Sequence, residues 1–225
     1  MRGAGAISPP LTREWLRGQG YRIHIPGWTL EEFLRLAPEN QRWEFVHGEV
    51  IMHSPASVQH QRIVGWLYRL LQRFCEHHAC GEALTGPAAL RILPQVVREP
   101  DVFVLPPGPI EEGPGHLILT RPVFVAEVLS PSTRRIDLED KAREYARAGI
   151  PEYWVLAPDE PALYQHLLEE GGVYHRQRHT RGWVWSRSLP GFGVQVEWVL
   201  PEPQAGLTEA WEALQQARGQ DTPAS

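Results

Sequence analysis

The sequence predicts an α/β (α+β) chain built on a central mixed sheet flanked by helices, with an antiparallel extension added toward the C-terminus. Three observations carry this. Residues 122–129 are almost continuously apolar, which is how a strand buried on both faces reads. A helical segment and a second apolar run, 152–156, follow at the spacing of a parallel crossover. From Ala162 to Val199 the chain breaks into short alternating runs separated by turns at Gly171-Gly172, Arg181-Gly182 and Pro190-Gly191.

Residues 1–25 are rich in Gly, Pro and Arg and read as an arm ahead of a domain spanning 26–200. Thr29-Leu30-Glu31-Glu32 has the form of a capping box, with Thr29 as N-cap of a short helix ending near Ala37-Pro38. Trp43 to Met52 alternates around His47-Gly48, a hairpin signal that pairs Val46 with Glu49 and sets Glu44, Val46, Glu49 and Ile51 on one face. A long helix follows over 57–79, with Val64, Leu67, Leu71, Phe74 and Cys75 at helical spacing and His60 extending the stripe by one turn. Ala88 to Leu93 and Pro100 to Leu105 read as short strands, and Pro106 to Gly115 as a loop. In the apolar run 122–129, Glu127 shares a face with Val123, Val125 and Leu129. A carboxylate there is costly to bury unless something positive compensates it.

After a loop at 130–135, Asp137 is the candidate N-cap of a helix to Ala148, with Gly149 as its stop before Pro151. Leu138, Ala142, Tyr145 and Ala146 form its apolar stripe, and Lys141 borders that stripe. Leu207 to Arg218 is a short amphipathic helix, and 201–225 reads as this helix and a tail.

The chain has 225 residues and a net charge of -5, which argues against a protein that coats nucleic acid by bulk electrostatics but not against an enzyme with a local basic groove. No apolar run is long enough to span a bilayer. The N-terminus lacks the apolar stretch of a signal peptide, and Cys75 and Cys80 are too few for a disulfide framework. A cytoplasmic protein is the expectation. Cys75, His77, His78 and Cys80 match no zinc spacing, and there is no P-loop, dinucleotide fingerprint or nucleophile elbow.

Of the 22 cationic Lys and Arg residues, only Lys141 is lysine. Lysine is a compact charge whose pKa moves readily, whereas arginine stays protonated. Asp101 and Glu127 lie upstream on strand-like runs. Two carboxylates and a lysine suit metal-dependent cleavage of a phosphodiester. The alternative is that Lys141 pairs with Asp137 on a helix surface, and residue type alone does not separate the two.

In this order the chain resembles the PD-(D/E)XK superfamily, with the restriction-endonuclease-like fold, and within it the Uma-two family of putative endonucleases. The matching segments are Trp43 to Glu49, Ser54 to His60, Pro100-Asp101, Glu127 to Ser132, Asp137 to Lys141 with Tyr145, and Gly149 to Trp154. The resemblance implies that Asp101, Glu127 and the backbone carbonyl of Val128 hold Mg²⁺ or Mn²⁺. It implies that Lys141, with a lowered pKa, orients or deprotonates the attacking water or stabilises charge on the phosphate. The superfamily lysine normally stands two residues after the glutamate; here that position is Leu129, and the Uma-two pattern takes it from the following helix.

His60 is either an auxiliary catalytic group or a hydrogen-bonded core histidine. Glu49 or Glu44 could add a metal ligand from the hairpin, with Glu44 also readable as a surface strand residue. Ser130 could bond the site or serve its loop. Arg134 and Arg135 could contact phosphates or form an exposed solvated pair. The partners implied are DNA and a second copy of the chain, since exposed Trp and the late strands suit a homodimer. The competing class is a catalytically inactive nuclease-fold protein acting in nucleic-acid binding or assembly.

Overall fold

The computed structural model of the chain describes residues 22–38, 41–130 and 134–220. Most of the N-terminal arm, together with Pro131 and Ser132 of the matching segments and the last five residues, lies outside them. Arg22 to Ile25, assigned to the arm from composition, instead belong to strand β1 (Arg22–Pro26). Its partner, not its own pattern, makes it a strand: β1 pairs antiparallel with β3 (Glu49–His53).

Helix α1 (Leu30–Leu36) starts at the expected capping box, in which Thr29 accepts from the Glu32 amide and Glu32 reaches back to the Thr29 amide. Strand β2 (Trp43–Val46) joins β3 through His47 and Gly48, both at positive φ. Such turns match the twist of a two-residue hairpin. Val46 faces Glu49, as the spacing predicts. The hairpin supplies the second and third strands of a seven-stranded sheet ordered β1-β3-β2-β6-β5-β9-β8, completed by β5 (Leu90–Leu93), β6 (Val96–Arg98), β8 (Glu112–Gly113) and β9 (Leu117–Ile118). Strands of two or three residues are too short to show a period, so β6, β8 and β9 escape a sequence reading.

Helix α2 (Val58–His78) has Ser57 as N-cap and ends at Ala79 in the left-handed region. Its stripe, including Ile63, Leu67, Leu71 and Phe74, packs on β4 (Glu82–Thr85), β7 (Val102–Leu105) and β10 (Phe124–Val128). These strands belong to a second, six-stranded sheet ordered β13-β12-β11-β10-β7-β4, with β11 (Glu152–Ala157), β12 (Ala162–Leu168) and β13 (Tyr174–His179). Only β10 and β11 pair in parallel; the other neighbours are antiparallel, so the sheet is mixed. All five residues of β10 are buried, as the continuous apolar run requires.

The other face of this sheet is covered by helix α3 (Ala142–Arg147) and the π-helical segment Ile136–Lys141 that precedes it. Asp137 is not the N-cap: residues 134 and 135 are already helical, and Asp137 is buried inside the segment. Residue type favoured a cap there, but Asp137 turns inward toward Lys141 instead. Gly149, at φ 72°, ends the helix as expected. The late strands β14 (Trp183–Trp185) and β15 (Gly193–Gln195) form a separate antiparallel pair, followed by α4 (Val196–Val199). Helix α5 (Leu207–Gln220) lays Ala210, Trp211 and Leu214 into the same core as α2.

The expected exposure of tryptophan is not observed: every described tryptophan is buried or half-buried. Among the described residues no helix is long and apolar enough to cross a membrane.

Candidate active site

The antiparallel register that pairs Ala126 with Val102 brings the residue after one beside the residue before the other, Glu127 beside Asp101. The two carboxylates are 2% and 5% exposed. Each is held by the protein through one oxygen. Asp101 Oδ2 accepts from the Val128 amide at 2.8 Å and lies 3.1 Å from His60 Nε2. Glu127 Oε1 accepts from Lys141 Nζ at 2.6 Å and from the Tyr145 hydroxyl at 3.1 Å. The second oxygens converge on one guanidinium: Arg42 donates to Asp101 Oδ1 at 2.8 Å and to Glu127 Oε2 at 3.3 Å.

Lys141 is 1% exposed, so the surface pairing with Asp137 does not describe it. Asp137 Oδ1 is indeed 3.3 Å away, but Glu127 is closer and Glu44 Oε1 lies at 3.5 Å. Glu44 is itself fully buried, because β2 sits inside its sheet rather than at the surface. It also binds His53 at 3.0 Å and Arg98 at 2.8 Å, and Arg98 continues to Glu144. The hairpin acid that reaches the site is therefore Glu44. Glu49, on the same face but at the turn end, pairs with His24 at 3.2 Å and lines a different cleft of about 400 Å³.

The charges follow from these contacts. Burial opposes ionisation of Asp101, but the Arg42 guanidinium, His60 and the Val128 amide hold its carboxyl well below the usual range. Burial pushes Glu127 up to about 7, and the neighbouring charge of Asp101 adds to it against Lys141 and Arg42. With the protein's own groups alone around it, the pKa of Lys141 shifts opposite to the lowering expected beside a metal. Burial pulls the ammonium down, yet Glu127, Glu44 and Asp137 outweigh it and the pKa rises. His60 is raised as well: burial lowers it and the bond and charge of Asp101 raise it further.

Several participants carry no sequence signal. Arg42 is one arginine among many in an arginine-rich chain. Glu99 is buried, with a pKa pushed to about 8 by burial and by Glu44, and its carbonyl accepts from Arg42 at 2.7 Å. Tyr145 stood in the helix's apolar stripe and in a matching segment, with no role assigned to its hydroxyl. The site opens into a cleft of about 660 Å³ lined by Arg42, Trp43, His60, Tyr68, Gly86 and Asp101.

Arg134 bonds Glu160 at 2.9 Å and the Tyr164 hydroxyl at 3.4 Å; Arg135 is exposed and pairs with Asp140. The register Glu127–Val155–Tyr164–Arg178 runs straight across the six-stranded sheet. Arg176 and Arg178 flank the Tyr164 ring, each 5.9 Å from its centroid. Three strand spacings put Arg178 about 14 Å from Glu127.

Glu152, in the matching segment 149–154, lies elsewhere. It is fully buried and accepts from Trp154, Gln165, Ser186, Ser188 and the amides of Arg187 and Ser188, at 2.6–3.0 Å. It clamps the 186–188 loop to β11 and has no contact with Asp101 or Glu127.

A mixed central sheet under helices, carrying two acids at adjoining strand ends and a lysine from the covering helix, is the restriction-endonuclease-like architecture. A solved structure described as a putative nuclease belonging to DUF820, from Anabaena variabilis, has a similar fold: TM-score 0.63, 16% identity, covering 83% of this chain and 99% of its own. Residues 30–197 match the Uma2 family model, described as "Putative restriction endonuclease", and the chain belongs to that family. Among curated proteins none matches it.

Proposed function

We propose that the chain is a divalent-metal-dependent endonuclease that hydrolyses DNA phosphodiester bonds. The observation that carries this reading is the convergence of Asp101 Oδ1 and Glu127 Oε2 on a single cationic group, beside the chain's one lysine. Two buried carboxylates in contact with the same cation, one with its pKa raised to about 7, form an environment that a divalent ion suits. Among the described residues no three His, Cys, Asp or Glu side chains converge as a metal-binding group. Mg²⁺ takes few protein ligands and keeps several waters, so two carboxylates and a carbonyl could hold it.

Asp101, Glu127 and the Val128 carbonyl would hold the ion, which supplies a water of lowered pKa and charge neutralisation at the phosphate. The protein's own part is positioning. The Val128 amide and His60 fix Asp101 through Oδ2, leaving Oδ1 directed to the cation position. Lys141 and Tyr145 do the same for Glu127 through Oε1. With its pKa raised, Lys141 is an ammonium at neutral pH. An ammonium held there donates to Glu127 and places positive charge beside the acid pair, where it would stabilise charge on the phosphate.

DNA as substrate is supported by the family description. Arg134, with Arg176 and Arg178 around Tyr164 at the β12–β13 edge, would supply phosphate contacts, and Arg135, which pairs with Asp140, another. Two copies acting together would cut both strands of a duplex; sedimentation velocity with and without DNA reads this directly. The test of the function is cleavage of circular DNA. Nicking or linearisation that needs Mg²⁺ or Mn²⁺, and is abolished by chelation and by Glu127→Gln, supports the reading. Metal-independent or absent cleavage on single- and double-stranded substrates contradicts it.

A further inference from the structure

Arg42 sits immediately before β2, and its guanidinium spans the two carboxylates. Its second amino group is also fixed by the Glu99 carbonyl at 2.7 Å. The bonds divide the four carboxylate oxygens into two sets. Asp101 Oδ2 and Glu127 Oε1 are taken by groups of the surrounding fold: the Val128 amide, His60, Lys141 and Tyr145. Among the described residues, Asp101 Oδ1 and Glu127 Oε2 answer only to Arg42. These are the oxygens that would be left to hold a metal ion once Arg42 moved away.

Two cations cannot share that position. A guanidinium about 3 Å from both oxygens and a divalent ion bound to them would repel strongly across a poorly screened, buried gap. Arg42 also has somewhere to go. It lines the cleft of about 660 Å³, its side chain is 27% exposed, and among the described residues its Nε has no hydrogen-bond partner. Lys141 has neither freedom, being 1% exposed and enclosed by three carboxylates.

We infer that Arg42 is a built-in counter-ion that competes with the divalent metal for Asp101 and Glu127, and that metal binding displaces its guanidinium into the cleft. The inference rests on the metal-site reading above and adds a regulation to it. Arg42 keeps the acid pair compensated and folded, and sets the metal concentration at which the site loads. The released guanidinium, in the cleft that leads to the site, is then free to meet a phosphate.

The test is Mn²⁺ binding by isothermal titration calorimetry, with melting temperature read in parallel, on wild type, Arg42→Gln and Arg42→Lys. Arg42→Gln should bind Mn²⁺ at least about tenfold more tightly than wild type, because binding no longer has to displace a cation. Its metal-free melting temperature should fall, and saturating Mn²⁺ should raise it by more than it raises wild type. Arg42→Lys, which keeps the charge but cannot span both oxygens, should lie between. Measurable binding that is equal in wild type and Arg42→Gln, or weaker in the variant, overturns the competition while leaving the metal site standing. No Mn²⁺ binding by any of the three proteins overturns the competition together with the metal reading on which it rests.

Discussion

Lys141 Nζ lies 2.6 Å from Glu127 Oε1 although the two residues are 14 apart and stand on different elements. The parallel pair β10–β11 makes this possible. The connection between them must return across the sheet face, and it carries Lys141 back over the strand that bears Glu127. The ammonium reaches the glutamate from the helix and not from the glutamate's own strand.

Removing either acid should remove the metal response. Asp101→Ala and Glu127→Ala should show no rise in melting temperature with Mn²⁺, where wild type shows a concentration-dependent rise. Differential scanning fluorimetry across a Mn²⁺ titration checks this. A rise equal to wild type in either variant would place the metal elsewhere.

The basic residues around Tyr164 should contribute to DNA affinity but not to metal binding. The double variant Arg176→Ala/Arg178→Ala should weaken binding at low salt. It should also reduce the slope of log affinity against log salt by about 2, one unit for each lost phosphate contact. Fluorescence anisotropy over a salt series measures it. An unchanged slope would move the DNA path away from β13.

Acid should destabilise the fold through His166, far from the acid pair. The ring is 2% exposed, stacks on Tyr153 at 5.2 Å, and among the described residues has no partner for Nε2. Burial lowers its pKa to about 4. Above the unfolded value of about 6.5 it is neutral in both states and the stability is fully present. As pH falls from there toward 4, the unfolded chain takes a proton that the folded chain refuses, costing up to about 3 kcal/mol. Urea unfolding at pH 4.5 and 7 should show this loss in wild type and a smaller one in His166→Phe.

Glu152 should matter for stability alone. Its six short hydrogen bonds are buried, so Glu152→Ala leaves several donors without a partner and should cost about 3–5 kcal/mol. The Mn²⁺ affinity of the folded fraction should stay at the wild-type level. A loss of metal binding without a loss of stability would give this residue a role in the site.

Where a local rule governs, the sequence was a sufficient guide. The capping box at Thr29, the His47-Gly48 turn, the α2 stripe and the fully buried β10 each follow from spacing and residue type within a few positions. Lys141 stood out because it is unique by type. Arg42 and Glu99 could not stand out, because what distinguishes them is a contact between elements 50 or more residues apart. Asp137 misled for the same reason: its type is that of a cap, and its place is set by a buried ammonium. Glu44 was visible as an acid on the hairpin face. That its face is covered depends on β6 and Arg98, which no local pattern announces.

The measurement closest to the central claim is single-turnover DNA cleavage with Mg²⁺ and with Mn²⁺ by wild type, Lys141→Ala and Lys141→Arg, prepared to equal purity. Wild type should cut in a metal-dependent way, and Lys141→Ala should lose about 10²–10³-fold or more with metal affinity largely kept. Lys141→Arg should show a comparable loss, because a fully enclosed site has no room for the larger fork. Equal cutting by all three proteins, or wild-type rates in Lys141→Arg, would contradict that claim.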